Sequence, residues 1–197
     1  MRRATGFNLV EMAVALVVGA TLVAVGMPPL LEATARTRVR LAAAEVTGVL
    51  YEARSYAVLH SANVAVKFRA GADGGVDWSL YRDADGDGVL TQDIESGVDP
   101  RVGPARQLAH LGRQVRVGFP PGPAPRDPGD PRRRLDRLTD PVRFNRSDLA
   151  SFDPLGGATP GSIYLTDGRS HLVAVRVLGV TGRVRVLVYD AAREAWE

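Results

Sequence analysis

The chain has 197 residues, with 25 Lys and Arg against 22 Asp and Glu, and it contains no cysteine. The formal net charge of +3 makes the overall electrostatic field weak, so net charge alone does not favour nucleic acid or anionic lipid as a partner. The absence of cysteine excludes disulfides and thiol chemistry from this sequence, and the length allows one domain plus an additional segment.

The amino terminus joins a short basic leader to a long apolar run. Arg2 and Arg3 lie in the leader, and no charged residue occurs between Met12 and Leu31. A bilayer core requires about 20 predominantly apolar helical residues, which this run provides. We therefore predict a leader over residues 1–6 and a transmembrane helix over residues 7–31. Because the two arginines precede the helix, the amino terminus should be cytoplasmic and the carboxyl-terminal domain periplasmic.

A carboxylate lies at the start of this apolar run. Glu11 would cost on the order of a few kcal/mol if it were deep in a membrane. One interpretation is that Glu11 lies near the interface, where its side chain reaches water. The other is that it has a cationic partner in an assembled state.

The segment Gly6-Phe7-Asn8-Leu9-Val10-Glu11-Met12 resembles the prepilin motif of type IV pilins and type II secretion pseudopilins. In that family a membrane peptidase cleaves after the glycine and methylates the new amino terminus. The resemblance implies cleavage between Gly6 and Phe7, N-methylation of Phe7, and neutralisation of its amino group by Glu11 within a filament. Asn8 replaces the usual threonine. The resemblance also implies a single-pass protein of the inner membrane that becomes filament-associated after assembly.

The helix is predicted to continue beyond two prolines. Pro28 and Pro29 lie where pilin helices commonly bend, so we expect a kink there. Across residues 32–60, apolar residues recur at intervals of three and four, with arginine and glutamate mostly at the remaining positions. This pattern is typical of an amphipathic helix whose apolar stripe packs on a sheet.

Beyond residue 60 the hydrophobic pattern changes to a period of two, which predicts strands. We assign residues 61–197 to one β-rich periplasmic domain, and the whole chain to the α+β class, with a long helix packed on antiparallel sheets. Residues 120–131, rich in proline and glycine, are predicted to form an exposed loop. The predicted strands are 64–68, 76–81 (joined to the first by a turn at 71–75), 115–119, 142–144, 162–165, and a closing hairpin of 172–178 and 183–189.

Three later segments resemble the GspH/FimT family of minor pseudopilins and minor pilins. They are Asp83-Ala84-Asp85-Gly86-Asp87-Gly88-Val89, Phe152-Asp153-Pro154-Leu155-Gly156 and Gly182-Arg183-Val184-Arg185-Val186. This resemblance implies a scarce subunit of the type II secretion pseudopilus, which supports protein secretion across the outer membrane. Its partners would be the prepilin peptidase and other major and minor pseudopilins or pilins. The alternative is a minor type IV pilin at a pilus tip that binds DNA or a surface through the carboxyl-terminal hairpin.

The first of these segments is a candidate calcium loop. Asp83, Asp85 and Asp87 occupy positions one, three and five of an EF-hand-like loop, and Val89 could offer its carbonyl. The twelfth position falls on Ile94, so the last carboxylate would have to come from a flanking residue, Asp93 or Glu95. Without a bidentate carboxylate there, calcium binding should be weak. The alternative is a turn rich in Asp and Gly that needs no metal, and we expect no cofactor to be required.

Arg183 and Arg185 are a candidate DNA-binding pair. Side chains at alternate positions of a strand project from one face, and adjacent guanidinium groups can hold phosphates through charge-assisted hydrogen bonds. The DNA-uptake members of the family use a similar Gly-Arg-x-Arg segment. The alternative is the ordinary solvent face of an edge strand. A third cluster, Arg132 to Arg134, has acidic neighbours and is interpreted as a solvated loop.

We predict that the protein is not an enzyme. Its three histidines, His60, His110 and His171, are scattered without metal-ligand spacing. The sequence contains no nucleophile elbow, P-loop or dinucleotide fingerprint.

Overall fold

The computed structural model describes residues 8–71, 75–108, 114–145 and 147–197. The chain divides into two compact units, Met1–Ala35 and Arg36–Glu197. The helix α1, Leu9–His60, contributes residues to both units. Each unit is described by itself.

In the amino-terminal unit, α1 exposes apolar side chains on all sides. Leu16 and Val25, for example, are 70% and 71% exposed. None of the described residues of this unit covers them, and the helix is long and apolar enough to cross a membrane. The helix continues without interruption through Pro28 and Pro29, which lie inside it. The expected kink stays a prediction.

In the second unit, the remainder of α1 is amphipathic, as its sequence pattern indicates. Its buried residues recur at intervals of three and four, and four of them are alanines. Small side chains allow the helix backbone to come close to the sheets. The buried helical residues are Val39, Ala42, Ala43, Val46, Val49, Leu50, Ala53 and Ala57.

The strands form two antiparallel sheets. The first has the order β3-β2-β1-β6, and the second has the order β10-β9-β8-β7-β4, with β5 also paired to β7. A short helix, α2, follows β2. The elements are β1 Val64–Ala70, β2 Val76–Arg82, α2 Thr91–Ser96, β3 Arg101–Gln107, β4 Arg116–Val117, β5 Val142–Phe144, β6 Leu149–Phe152, β7 Gly161–Thr166, β8 Leu172–Val177, β9 Val184–Asp190 and β10 Ala195–Trp196.

The second sheet is buried on both faces at its centre. Ile163 and Val175, which are register partners, belong to the main core together with the buried side of α1. Tyr164 and Ala174 point to the opposite face, where they pack with Leu135 in a smaller core. Strands buried on both faces appear in sequence as continuous apolar runs, which explains why β7 and β8 were recognisable. The α+β prediction is confirmed.

Three strands and one helix were not predicted. β3 contains Gly103 and Pro104 and is almost wholly exposed, so it has no apolar alternation. β6 has four residues and β10 has two, and strands this short leave little alternation in the sequence. β10 follows the predicted closing hairpin of β8 and β9. α2 has no buried residue and therefore no apolar stripe.

Two predicted segments have different bounds or surroundings. The strand predicted over 115–119 is reduced to β4, Arg116–Val117. The segment 120–131 is not wholly exposed, because Pro125 is buried and Arg126 forms a bridge with Arg134. The turn between β1 and β2 lies partly outside the described residues, at 72–74.

Candidate functional sites

The carboxylate at the start of α1 caps the helix. Glu11 Oε2 accepts a 3.1 Å hydrogen bond from the backbone N–H of Asn8, and Asn8 Oδ1 accepts one of 3.4 Å from Val10 N–H. This reciprocal arrangement is a capping box, which satisfies backbone donors at a helix end. Asn8 therefore serves as the amino-terminal cap of α1. The predicted cleavage residues Gly6 and Phe7 lie outside the described residues.

The apolar part of α1 keeps its polar groups bonded within the helix. Thr21 Oγ1 donates a 2.8 Å hydrogen bond to the Val17 carbonyl. Such internal pairing is what a lipid environment requires, because no water is available there. Pro28 and Pro29 have no N–H, so each removes one hydrogen bond from the helix. This local weakness lies where the sequence analysis expects the kink.

The acidic loop after β2 brings three predicted ligands together. One carboxylate oxygen from each of Asp83, Asp85 and Asp87 lies within 4.8 Å of the others. Asp83 is 8% exposed and also organises the loop. Its carboxylate accepts hydrogen bonds from the N–H groups of Gly86 at 2.7 Å and Gly88 at 3.0 Å. The loop therefore has a structural explanation that needs no metal, beside its potential for calcium.

Asp93 does not join this group of three, and the part of the Val89 carbonyl as a ligand stays a prediction. Asp93 lies on α2, and Val89 has its side chain buried in a small core with Tyr81. Loss of hydration, followed by the charges of Asp85, Asp99 and Asp83, raises the pKa of Asp93. The charges of the acidic loop thus affect the Asp93 carboxylate, although Asp93 does not belong to the cluster of three.

Asp99, which the sequence analysis did not single out, holds the ends of the acidic loop. It is 1% exposed and accepts hydrogen bonds from Ala84 N–H and Leu90 N–H, both at 3.2 Å. Asp99 lies far enough along the chain that no local motif includes it. Only its burial and its two backbone partners reveal its role.

The predicted arginine pair lies at the start of β9. Leu178 N–H donates a 2.9 Å hydrogen bond to the Arg183 carbonyl, and the strand begins at the next residue, Val184. Both Arg183 and Arg185 are exposed. Their alternation places them on one face of the β8–β9 hairpin. Both guanidinium groups are therefore accessible to phosphate or carboxylate oxygens.

A third arginine, which sequence reasoning missed, lies beside this pair. Arg176 on β8 is the register partner of Arg185 on β9. The two line a cavity of about 440 Å³ together with Arg126, Glu194 and Trp196. Within the described ranges, neither Arg176 nor Arg185 has a carboxylate within salt-bridge distance, whereas Glu194 binds Arg126 at 3.0 Å and Arg134 at 2.5 Å. The cavity thus contains two arginines without an anionic partner.

In the described part of the chain, His171 contacts a serine and an aspartate, both through the same ring nitrogen, with Ser170 Oγ at 3.3 Å from Nδ1. A catalytic triad requires the serine on the other ring nitrogen. His171 Nδ1 lies 2.8 Å from Asp167 Oδ2 in the turn between β7 and β8. His60 stacks on Tyr56 with a centroid distance of 4.0 Å. His110 lies outside the described residues. The prediction of a non-enzyme stays a prediction.

No protein-family profile, curated protein or solved structure matches this chain.

Proposed function

We propose that the chain is a minor pilin-like subunit, anchored in the inner membrane and assembled into a periplasmic filament of the type II secretion pseudopilus. The observation that carries this proposal is the start of α1, where Glu11 and Asn8 cap a helix whose next twenty residues, Met12 to Leu31, carry no charge and are almost all exposed. A capped helix of this kind can reside in lipid and can equally pack against similar helices.

The proposed mechanism is assembly. The prepilin peptidase removes residues 1–6 and methylates Phe7, and the helix then leaves the bilayer to join a bundle of similar helices. Burial of apolar side chains in the bundle compensates for leaving the lipid. Glu11 pairs with the Phe7 amino group of its own or a neighbouring subunit and so defines the axial position of the subunit. The β-rich unit contacts the other minor subunits.

The test is the intact mass of the protein extracted from membranes with and without an active prepilin peptidase. We expect loss of residues 1–6 and the addition of one methyl group only when the peptidase is active. The matched control is Gly6→Leu, which should leave the chain uncut. An uncut wild-type chain beside the active peptidase would contradict the proposal.

The second candidate is a minor type IV pilin whose hairpin binds DNA at a pilus tip. The exposure of Arg183 and Arg185 on one face supports it. DNA binding of this kind should weaken steeply with salt, because each neutralised phosphate releases counterions. A duplex arm in the binding experiment below tests this candidate directly.

A further inference from the structure

Strand β9 has one edge that is only partly covered. β10 pairs with Tyr189 and Asp190, and beyond it Glu197 exchanges backbone hydrogen bonds of 2.8 and 2.9 Å with Val188. Towards the start of β9, none of the residues that the structure describes pairs with this edge at Val184 or Val186. The sheet order, in which only β10 follows β9, shows the same opening.

The backbone groups at this opening point outward. In an antiparallel ladder, successive residues direct their N–H and C=O groups to opposite sides. Val188 bonds to Glu197 on the β10 side, whereas the Arg183 carbonyl bonds to Leu178 on the β8 side. Val184, Val186 and Val188 are alternate residues of β9, so their backbone groups point to the same side. Val184 and Val186 must therefore direct their N–H and C=O groups away from β8. An exposed row of unpaired backbone groups is a template for an added strand.

The side chains at the opening give it a positive charge. Arg176 and Arg185 lie directly opposite each other, and like charges in that position destabilise a sheet. Gly129 lies over Arg176, since a Cβ placed on that glycine would come 2.7 Å from an Arg176 guanidinium nitrogen. Glu194, the carboxylate that lines the cavity, is already bound by Arg126 and Arg134. Asp127 lines a neighbouring cavity together with Arg176, but no described carboxylate lies within salt-bridge distance of Arg176 or Arg185. Arg185 lies on the strand with the open edge.

We propose that the open edge of β9 binds an extended acidic segment of another protein as an additional strand. The segment carries one carboxylate opposite Arg185 and a second, two residues along, opposite Arg183. Its backbone pairs with the outward N–H and C=O groups of Val184 and Val186. Each acidic side chain completes a cross-strand pair of opposite charge, which relieves the repulsion between Arg176 and Arg185. This interaction goes beyond the proposed filament assembly and does not depend on it.

The same features favour a peptide over nucleic acid. A row of outward backbone donors and acceptors matches another peptide backbone and has no counterpart in a phosphate chain. The apolar side chains of Leu187 and Trp196 in the wall of the cavity also fit a peptide. The proposed ligand is therefore an extended peptide with carboxylate side chains at alternate positions.

The binding test uses the full chain in detergent micelles and dye-labelled peptides, followed by fluorescence anisotropy. The probe is Thr-Glu-Val-Glu-Val-Thr, whose glutamates share one face of a strand. The first control, Thr-Val-Glu-Glu-Val-Thr, has the same composition but places its glutamates on opposite faces. We expect the control to bind about tenfold more weakly, since it loses one charge-assisted pair. A lysine version of the probe should not bind, and a labelled DNA duplex forms the competing arm.

Two variants distinguish the contribution of backbone hydrogen bonds to peptide binding from the contribution of charge. Val186→Pro removes an outward N–H that no described residue accepts, and proline is tolerated on edge strands. Arg185→Glu reverses the charge opposite the proposed carboxylate. Both should abolish binding of the probe, while Arg169→Glu, which makes the same charge change at the β7–β8 turn, should not. Tryptophan fluorescence during unfolding verifies that each variant is folded.

Several outcomes would overturn the proposal. They are equal binding of the two glutamate peptides, retained binding by Val186→Pro or by Arg185→Glu, and binding of the duplex without binding of the probe. The peptidase test is independent of all of them, so the filament proposal can fail while this one holds, and the reverse.

Discussion

Asn63 and Asp83 are joined by two hydrogen bonds that connect the residue before β1 to the residue after β2. The Asn63 side-chain amide donates to Asp83 Oδ2 at 2.8 Å, and the Asp83 backbone N–H donates to the Asn63 carbonyl at 3.0 Å. Asp83 is buried and also accepts from two glycine N–H groups of the acidic loop. One carboxylate thus holds together the adjoining ends of two paired strands and a loop, whatever its role towards metal.

Replacing this carboxylate should destabilise the β-rich unit. Asp83→Ala leaves the Asn63 amide and two backbone N–H groups without an acceptor, which should cost roughly 2–4 kcal/mol of unfolding free energy. The matched control is Asp85→Ala, an exposed neighbour whose removal should cost little. Urea unfolding of the full chain in micelles, followed by tryptophan fluorescence, measures both, since Trp78 and Trp196 lie in that unit. Equal effects of the two variants would contradict this role of Asp83.

The stability of the same unit should decrease in acid. Burial alone would raise the pKa of Asp83, but the hydrogen bonds from Asn63 and the loop N–H groups outweigh it and lower the pKa below the ordinary 3.8. Asp167 is lowered similarly, since the His171 side chain and three backbone N–H groups outweigh the effect of burial. Carboxylates with lowered pKa contribute stability above their unfolded-state pKa and lose it as the pH falls through the folded value.

The measurement for this acid effect is the unfolding free energy from about pH 5 down to about pH 2. The double variant Asp83→Asn with Asp167→Asn should begin less stable and lose less over this interval. A parallel decrease in the variant and the wild type would mean that other groups determine the acid response.

Calcium should stabilise the acidic loop. Loss of hydration, then the hydrogen bond and charge of Asp85, raise the pKa of Asp87, which reflects repulsion among the three clustered carboxylates. Calcium at about 5 mM should relieve this repulsion and raise the melting temperature of the full chain. Asp87→Asn should raise the melting temperature without calcium and abolish the response to it. A wild-type chain that shows no shift would count against a metal site.

One glycine should be indispensable for strand pairing. A Cβ placed on Gly161 would overlap with Phe144 Cδ1 and with the Arg143 carbonyl oxygen. Gly161→Ala must therefore displace β5 from β7, at a cost of about 1–3 kcal/mol. Gly48→Ala is the opposite case, because Gly48 is an exposed helical residue and no atom lies within 4 Å of a Cβ placed on it. This variant should stabilise α1 by up to about 1 kcal/mol. Equal destabilisation by both variants would be inconsistent with this packing.

Glu11 should matter for assembly more than for folding. Glu11→Gln keeps an oxygen acceptor for the Asn8 N–H but removes the charge proposed to pair with the Phe7 amino group. We expect normal cleavage by the peptidase and tryptophan unfolding identical to that of the wild type, but a severe loss of the subunit from sheared filaments. Incorporation at the wild-type level would remove the proposed role of Glu11 in the filament.

Sequence periodicity recovered the elements whose burial is regular. The apolar stripe of residues 32–60 reappears as the buried face of α1, and the apolar runs around Ile163 and Val175 reappear as the central strands β7 and β8. β3 was missed because an exposed edge strand leaves no apolar alternation, and its Gly103 and Pro104 indicate a loop. Among site residues, the clustering of Asp83, Asp85 and Asp87 followed from their spacing alone, because one short loop contains all three.

The sequence by itself determined the local features of this protein: the apolar run after residue 11, the amphipathic continuation, and the two loops rich in Asp or Arg. These depend on neighbours within a few residues, where helix and strand periodicity dictate which side chains share a face. The tertiary structure alone decided which distant residues meet, such as Asp99 with the acidic loop and Arg176 with Arg185. Such contacts depend on strand order and register, which arise from the packing of the whole core and have no signature in any short segment.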